Sequence, residues 1–334
     1  MYQRSIGGTT HVPCDKGSRI IEKATPRLAK IIGYKYAQNG AMEVKKDLKI
    51  SNRVDYNMSY IQDLISRLST ICEEKEYLWS YEIPEEILKE TASVSVSRDG
   101  AMVGMTEGGY REAMGGVLSL CDKIGKSIYT VYIAKSPEYG KEKFNAAMDN
   151  EINILKTKLP KATYVGLADG ARDNWQYLVK HTDVQILDYY HATEYVHSFA
   201  DAYFKDKQEG KKWSEKAKVN LQDDPETALM LWEKMSSLTE KMSSSTAKEI
   251  CQKSVVYFAN NKEKMDYYNY INEGYAIGSG VMEAACKTLI KQRCSRSGMR
   301  WTTKGLNQLF AIKQLVFTGN RWEQFWDKID RYGF

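Results

Sequence analysis

Residues 163–175 read TYVGLADGARDNW, and the order of residue types in them decides the fold class. The uncharged run Tyr164 to Ala168 has the length and composition of a buried strand, Asp169-Gly170 is a turn signal, and a helix opens near Ala171. The same order returns in residues 184–204, VQILDYYHATEYVHSFADAYF. Strand then helix, twice over, predicts parallel strands linked by crossover helices. Upstream, residues 93–105, SVSVSRDGAMVGM, alternate apolar and polar positions, with Arg98-Asp99-Gly100 expected as a hairpin turn. GVLSLCD (116–122) and SIYTVYIAK (127–135) are further short strands. A helix is expected from about Tyr139 to Leu159, with Phe144, Met148, Ile152, Leu155 and Leu159 on one face and Pro160 ending it. The resulting order predicts an α/β fold. Its mixed sheet has flanking helices, and its first and fourth strands lie parallel and adjacent.

The flanks have a different character. Residues 1–25 are polar and aperiodic and read as a tail. Residues 26–88 are helical in pattern. The polar break SNRVDYN (51–57), then a helix from Met58 that carries Ser66 and Arg67, suits a helix-turn-helix DNA-binding domain and equally a plain three-helix packing module. Residues 89–204 hold the first part of the α/β core. Residues 205–274, including LMLWEKMSSLTEKM and ICQKSVVYFANNKEKMDYYNYI, read as an all-helical insertion, and 275–334 as helices completing the core.

At 334 residues, 43% hydrophobic and 27% charged, the chain has enough length for one large domain or two ordinary ones with real cores. The six cysteines are scattered without metal-ligand spacing, which argues against a zinc site and a disulfide framework. The apolar runs are too short for a membrane span, and the expectation is a soluble, cytoplasmic protein. The net charge is only +5, yet residues 287–304 carry Lys287, Lys291, Arg293, Arg296, Arg300 and Lys304 against no acid. Such a basic stripe interleaved with aromatics is the electrostatic footprint of a nucleic-acid partner, while a solvated helix face is its ordinary reading.

Ligands of open sheets gather at the carboxyl ends of the strands. Asp99 and Asp169 are expected there, on strands predicted to be neighbours. Glu283 follows in IGSGVMEAACKTLIKQRCSRSGMRW (277–301), on a helix beside the basic stripe. Three carboxylates from separate elements are the donor set for two hard cations, Mg2+ or Mn2+, in phosphoryl transfer. Each also has an ordinary reading: a hairpin turn for Asp99, a helix cap for Asp169, a favourable dipole contact for Glu283. Lys287 and Lys291 follow Glu283 at steps of four and share its face, placed either to hold phosphates or as a surface ladder. Gly278 and Gly280 would let a backbone approach the helix start. Asp188 and His191 of the DYYH motif are auxiliary candidates, with a satisfied core histidine as the alternative. Asp173 is a rival to Asp169 but is placed one turn inside the following helix. Trp301 is a stacking platform or plain core.

Taken together, SRDGAMV, LADGARDNW, LDYYHATEYV and the 277–301 segment resemble the ISKra family of bacterial insertion-sequence transposases, from about Ala24 onward. That resemblance implies a ribonuclease H-like core with a DDE triad of Asp99, Asp169 and Glu283 and a helical insertion between the second and third acids. It further implies two Mg2+ or Mn2+ ions, with Asp99 bridging both while Asp169 and Glu283 each complete one site. The activity implied is cleavage at transposon ends and attack of the freed 3′-hydroxyl on target DNA. The partners implied are transposon-end and target DNA, with a homodimer or larger assembly on that DNA, associated with the nucleoid. Lys287, Lys291, Arg293, Arg296, Arg300 and Trp301 are expected on the DNA side. Members of the family usually carry a longer region before the ATPRLAK-like segment, so a shortened N-terminus is expected. Two rival classes share these features: a ribonuclease H-like nuclease that cuts without joining, and a transposase-derived DNA-binding protein without catalysis.

Overall fold

The structure is a computed structural model, and it describes residues 17–243 and 245–334. Five strands form one mixed sheet: β1 (Ser93–Gly104), β2 (Tyr110–Cys121), β3 (Ser127–Lys135), β4 (Thr163–Ala168) and β5 (Val184–Leu187), in the order β3-β2-β1-β4-β5. The first three pair antiparallel, and β4 runs parallel to both β1 and β5. The adjacency of the first and fourth strands is therefore as the element order predicts.

The helices before the sheet are α1 (Pro26–Gln38), α2 (Ala41–Asn52), α3 (Met58–Lys75) and α4 (Glu85–Glu90). Within the α/β part lie α5 (Glu142–Lys158), α6 (Arg172–Leu178) and α7 (Tyr189–Tyr203). Between residues 205 and 274 every named element is helical, chiefly α8 (Lys207–Asp223), α9 (Thr227–Glu240), α10 (Ser245–Asn261) and α11 (Tyr267–Asn272). The chain closes with α12 (Gly280–Ala285), a π-helical stretch (Cys286–Lys291), α13 (Gln292–Cys294), α14 (Thr303–Phe317) and α15 (Arg321–Tyr332).

Strand alternation divides the sheet into two faces. Val94 and Val96 pack with Phe144, Met148 and Leu178 under α5 and α6. Ala101 and Val103, of opposite parity, pack with Met282, Leu289 and Phe310 under α12 and α14. Asp99 has the parity of Ala101 and so belongs to the second face. A third core joins Leu167, Ile186 and Phe199 to Leu221, Met235, Phe258 and Tyr267, which seats the helical segment directly against β4, β5 and α7.

The turn expected at Arg98-Asp99-Gly100 does not form. β1 continues through it, with Arg98, Asp99 and Gly100 paired to Gly116, Gly115 and Met114 of β2. The chain reverses instead after Met105, whose amide donates to the Gly109 carbonyl at 2.8 Å. Gly108 and Gly109 adopt φ of 78° and 72° there, the left-handed region that glycine enters without a steric penalty. A tandem glycine supplied the reversal, and Asp99-Gly100 was left to extended pairing.

The N-terminal helices do not enclose a core of their own. Ile32, Leu64 and Leu68 pack with Ile312, Trp322, Phe325, Trp326 and Ile329 from the far end of the chain. The division at residue 88 therefore cuts through one core, and so does the grouping of 275–334 with the sheet alone. Within the expected tail, Ile21 and Ala24 are buried in this cluster. On α3, the Ser66 hydroxyl accepts from Gln308 Nε2 of α14 at 2.9 Å, and the Arg67 guanidinium lies over the Phe334 ring. The side chains singled out for a recognition helix thus face other parts of the protein, as in a packing module. No helix among the described residues is long and apolar enough to cross a membrane. The described cysteines are all buried and free, as their spacing suggests, and Cys14 lies outside the described residues.

A fragment ending at residue 88 lacks Trp322, Phe325, Trp326 and Ile329, each worth about 1.5–3 kcal/mol on burial. Against a total stability of about 5–15 kcal/mol, that fragment is expected to show no cooperative urea transition by circular dichroism. The full chain is expected to show one.

Candidate active site

The last paired residues of β1 and β4 are Ser97 and Leu167. Two residues beyond them, in register and on the same face, stand Asp99 and Asp169. Asp99 is half-buried; its Oδ1 accepts from the Gly100 amide at 2.7 Å, and its Oδ2 accepts from the Cys286 thiol at 3.7 Å. Burial raises the Asp99 carboxyl above its ordinary range, and the nearby Asp169 charge adds to the rise. The Cys286 thiol is pushed up to about 12, by burial first and then by the Asp99 charge, so it remains a protonated donor at neutral pH. Asp169 uses Oδ1 to accept from the Ala171 amide and from Asn174 Nδ2, both at 3.1 Å, so it does secure the turn into α6. The Tyr257 hydroxyl from α10 donates to the Asp169 carbonyl at 2.8 Å and fastens the helical segment to this turn.

Asp173 is drawn elsewhere. It meets Lys141 at 3.0 Å and Arg98 at 3.2 Å, and the Lys141 hydrogen bond foremost holds its carboxyl below the usual range. Arg98 itself is buried on the opposite face of β1, between the Phe144 and Tyr177 rings. Asp173 therefore serves the contact between β1 and α6.

Glu283 is brought to the site by a bracket centred on Asp188. This carboxylate, with no exposed surface, caps α7 by accepting from the His191 amide at 2.7 Å and from His191 Nδ1 at 3.1 Å. Its other oxygen accepts from the Ser279 amide. The Tyr189 amide donates to the Ile277 carbonyl at 2.9 Å, so the IGSG loop is laced to the start of α7. Gly278 fits beneath the Tyr190 ring, where an added Cβ would come within 2.6 Å of a ring carbon. That contact, rather than access for DNA, requires the glycine; Gly280 remains open. The Glu283 amide then donates to the Ser279 carbonyl at 2.9 Å, and α12 begins.

Asp188, His191 and Glu283 offer ligand atoms within 4.8 Å of one another, a spacing at which a metal ion can be held. Asp99, Asp169 and Glu283 do not come that close as a trio. The donor chemistry favours them nonetheless, because both Asp188 oxygens are already occupied by N–H groups. His191 is raised to about 9, chiefly by its hydrogen bond to Asp188, and is an imidazolium at neutral pH, unable to ligate through the proton-bearing nitrogens. Asp99, Asp169 and Glu283 have no lysine or arginine partner among the described residues. Carboxylate oxygens left without a protein cation are the donors that Mg2+ or Mn2+ prefers, so the residues present fit such ions.

The basic stripe divides by burial. Lys287 and Lys291 are exposed with Glu283 on one side of the helix, and neither meets a carboxylate among the described residues. Arg293 is 4% exposed, stacked between the Tyr36 and Trp301 rings, so its placement on a DNA-facing surface is overturned. Trp301 is half-buried, its Nε1 donating to the Cys294 carbonyl at 3.2 Å, which makes it a packing residue before any stacking role. Arg296 pairs with Glu43 of α2 at 2.8 Å, and Arg300 lies over the exposed Tyr110 ring. Sequence reasoning missed Lys313, which is 1% exposed and donates to the Thr288 carbonyl inside the π-helical stretch at 2.7 Å. It also missed Cys286 beside Asp99. Both pairings join residues far apart in the chain, and no local pattern signals them.

No protein-family model matches the chain, and no curated protein matches it. The functional reading therefore rests on this geometry.

Two outcomes test the site's electrostatics. In Asp188→Asn, His191 is expected to titrate below about 9, toward 6.5, by NMR. Because the folded pKa is raised, the wild-type advantage in unfolding free energy should be full below 6.5 and vanish as pH rises through about 9. Lys313 is lowered to about 8 from 10.5 by burial, so its folded form resists protonation. Relative to Lys313→Met, the wild type should gain on the order of 3 kcal/mol between pH 8 and 10.5 in urea titrations.

Proposed function

We propose that the chain is a DNA transposase of an insertion sequence, built on a ribonuclease H-like core and acting through Asp99, Asp169 and Glu283. The strand order β3-β2-β1-β4-β5 is compatible with that core. The observation that carries the reading is the convergence of Asp99 and Asp169, in register at the ends of parallel neighbours, with α12 docked above them through Cys286. All three acids lack a protein cation partner, and Lys287 and Lys291 are free to meet phosphates on the Glu283 side.

In this reading Asp99, between the other two acids, would contribute to both ions of a Mg2+ or Mn2+ pair, while Asp169 and Glu283 would each complete one site. The ions supply Lewis acidity at the scissile phosphate. The protein's own residues do the rest. Asp99 and Asp169 are held by β1, β4 and the α6 turn. Glu283 is oriented by the Asp188 bracket, and Lys287 and Lys291 neutralise the phosphates on either side of the reacting one. His191 adds a fixed positive charge beside the acids.

With DNA carrying the sequences that flank its gene, the wild type should give Mn2+-dependent cleavage and joined products. Asp99→Asn, Asp169→Asn and Glu283→Gln should each lower cleavage by about a hundredfold or more while retaining DNA binding. Cleavage that survives all three overturns the triad. Cleavage without joining identifies a nuclease, and metal-independent binding without cleavage a DNA-binding derivative. Lys287→Ala and Lys291→Ala should weaken binding to all sequences and lower the salt slope by about one each.

A further inference from the structure

A cavity of about 340 Å3 adjoins the acids on the same face of the sheet, roofed by the loop that precedes α12. Ligand pockets span roughly 300–1,000 Å3, whereas one water accounts for about 30 Å3. Its floor is hydroxylic: Ser95 and Ser97 of β1 and Ser119 of β2 line it. Elsewhere on this face the same two strands present Ala101, Val103, Ala113 and Val117 to a dry core. The three serines are 7%, 4% and 3% exposed, and none donates or accepts a side-chain hydrogen bond among the described residues; the Ser119 hydroxyl is sealed from solvent and unpartnered. Burying a hydroxyl without a partner is unfavourable by roughly 1–3 kcal/mol, so three of them on one floor point to an occupant with polar edges.

The mouth indicates what the occupant is. Tyr190 lines it with a ring that is 56% exposed, supported from behind by Gly278. Ser279, on the rim, is the residue whose carbonyl receives the Glu283 amide. On β1, Ser95, Ser97 and Asp99 succeed one another on one face, so the pocket floor runs into the acid cluster without a break. A planar ring with hydrogen-bonding edges, attached to a phosphate held at the acids, meets both the hydroxyl floor and the aromatic mouth.

Resting on the proposed DNA chemistry, we infer that this cavity receives one unstacked nucleobase of the strand whose phosphate lies at Asp99, Asp169 and Glu283. Tyr190 stacks on the base. The serine hydroxyls, each able to donate or accept, bond its polar edge. Extruding a base from a duplex carries an unstacking penalty, least for one already unpaired, so single strands and frayed ends are the favoured substrates.

The test uses the full chain in EDTA and a mixed-sequence single-stranded oligonucleotide containing 4-thiothymine. Affinity is read by fluorescence anisotropy, and the photo-cross-link is mapped by mass spectrometry. The expected cross-link falls within residues 189–190 or 275–281, and affinity exceeds that for the matched duplex. Ser119→Leu, which fills the cavity, and Tyr190→Ala, whose exposed side chain does not load the core, should each weaken single-strand binding about tenfold and abolish that cross-link. Circular dichroism checks the fold of Ser119→Leu, and Tyr190→Ala decides the matter if that variant does not fold. Unchanged affinity in Tyr190→Ala, with cross-links elsewhere, overturns the pocket and leaves the DNA reading standing. Failure of the wild type to bind either oligonucleotide overturns the DNA reading and the pocket with it.

Discussion

Parallel pairing between β1 and β4 sets the position of everything else in the site. The register that matches Ser97 with Leu167 carries Asp99 and Asp169 to the same level and the same face. A slip of one residue would turn either acid to the side of Phe144 and Tyr177, away from α12. Both strands are buried along this pairing, Val94, Val96, Val165 and Leu167 among them, so the register is held by the same apolar contacts that hold the sheet. The acids inherit their geometry from the core, and they add little to its stability.

The third acid depends on a different kind of constraint. Glu283 arrives after the helical segment 205–274, across a connection far too long to define a position by itself. The Asp188 carboxylate resolves this by binding the start of α7 and the IGSG loop at once. Burial alone would raise its pKa, but hydrogen bonds from His191 and Ser279 outweigh it and hold the carboxylate below its ordinary range. The charge therefore persists where an uncompensated one would be strongly disfavoured. Tyr257 makes the matching link from α10 to the Asp169 turn, so the inserted helices tie together the two ends of the site they interrupt.

Within the basic stripe, identical charges have opposite roles. Lys287 and Lys291 project to solvent. Arg293 and Lys313 lie inside, where they join α12–α14 to Tyr36 and to the widened helical turn. Burial lowers the pKa of both interior groups, an indication that their charge is retained against desolvation by rings and carbonyls instead of carboxylates.

Much of the fold was legible from period and punctuation. The strand-to-helix units at 163–175 and 184–204, the helix before Pro160 and the helical run of 205–274 follow from spacing alone. The acids were legible because β-alternation and strand ends are local properties. The hairpin turn was misplaced because Asp-Gly and Gly-Gly compete as turn signals, and only pairing with β2 selects between them. Arg293 inside, Asp188 as bracket, Cys286 beside Asp99 and the serine-floored cavity were decided by the tertiary structure. Each depends on partners such as Tyr36, Ser279 or Gly278 that meet only after the chain has closed. The sequence by itself determined which elements form and which carboxylates stand at their ends, since those follow from neighbours in the chain. Which charges face solvent and which face the core was decided by packing between distant segments, because burial is a property of the assembled surface.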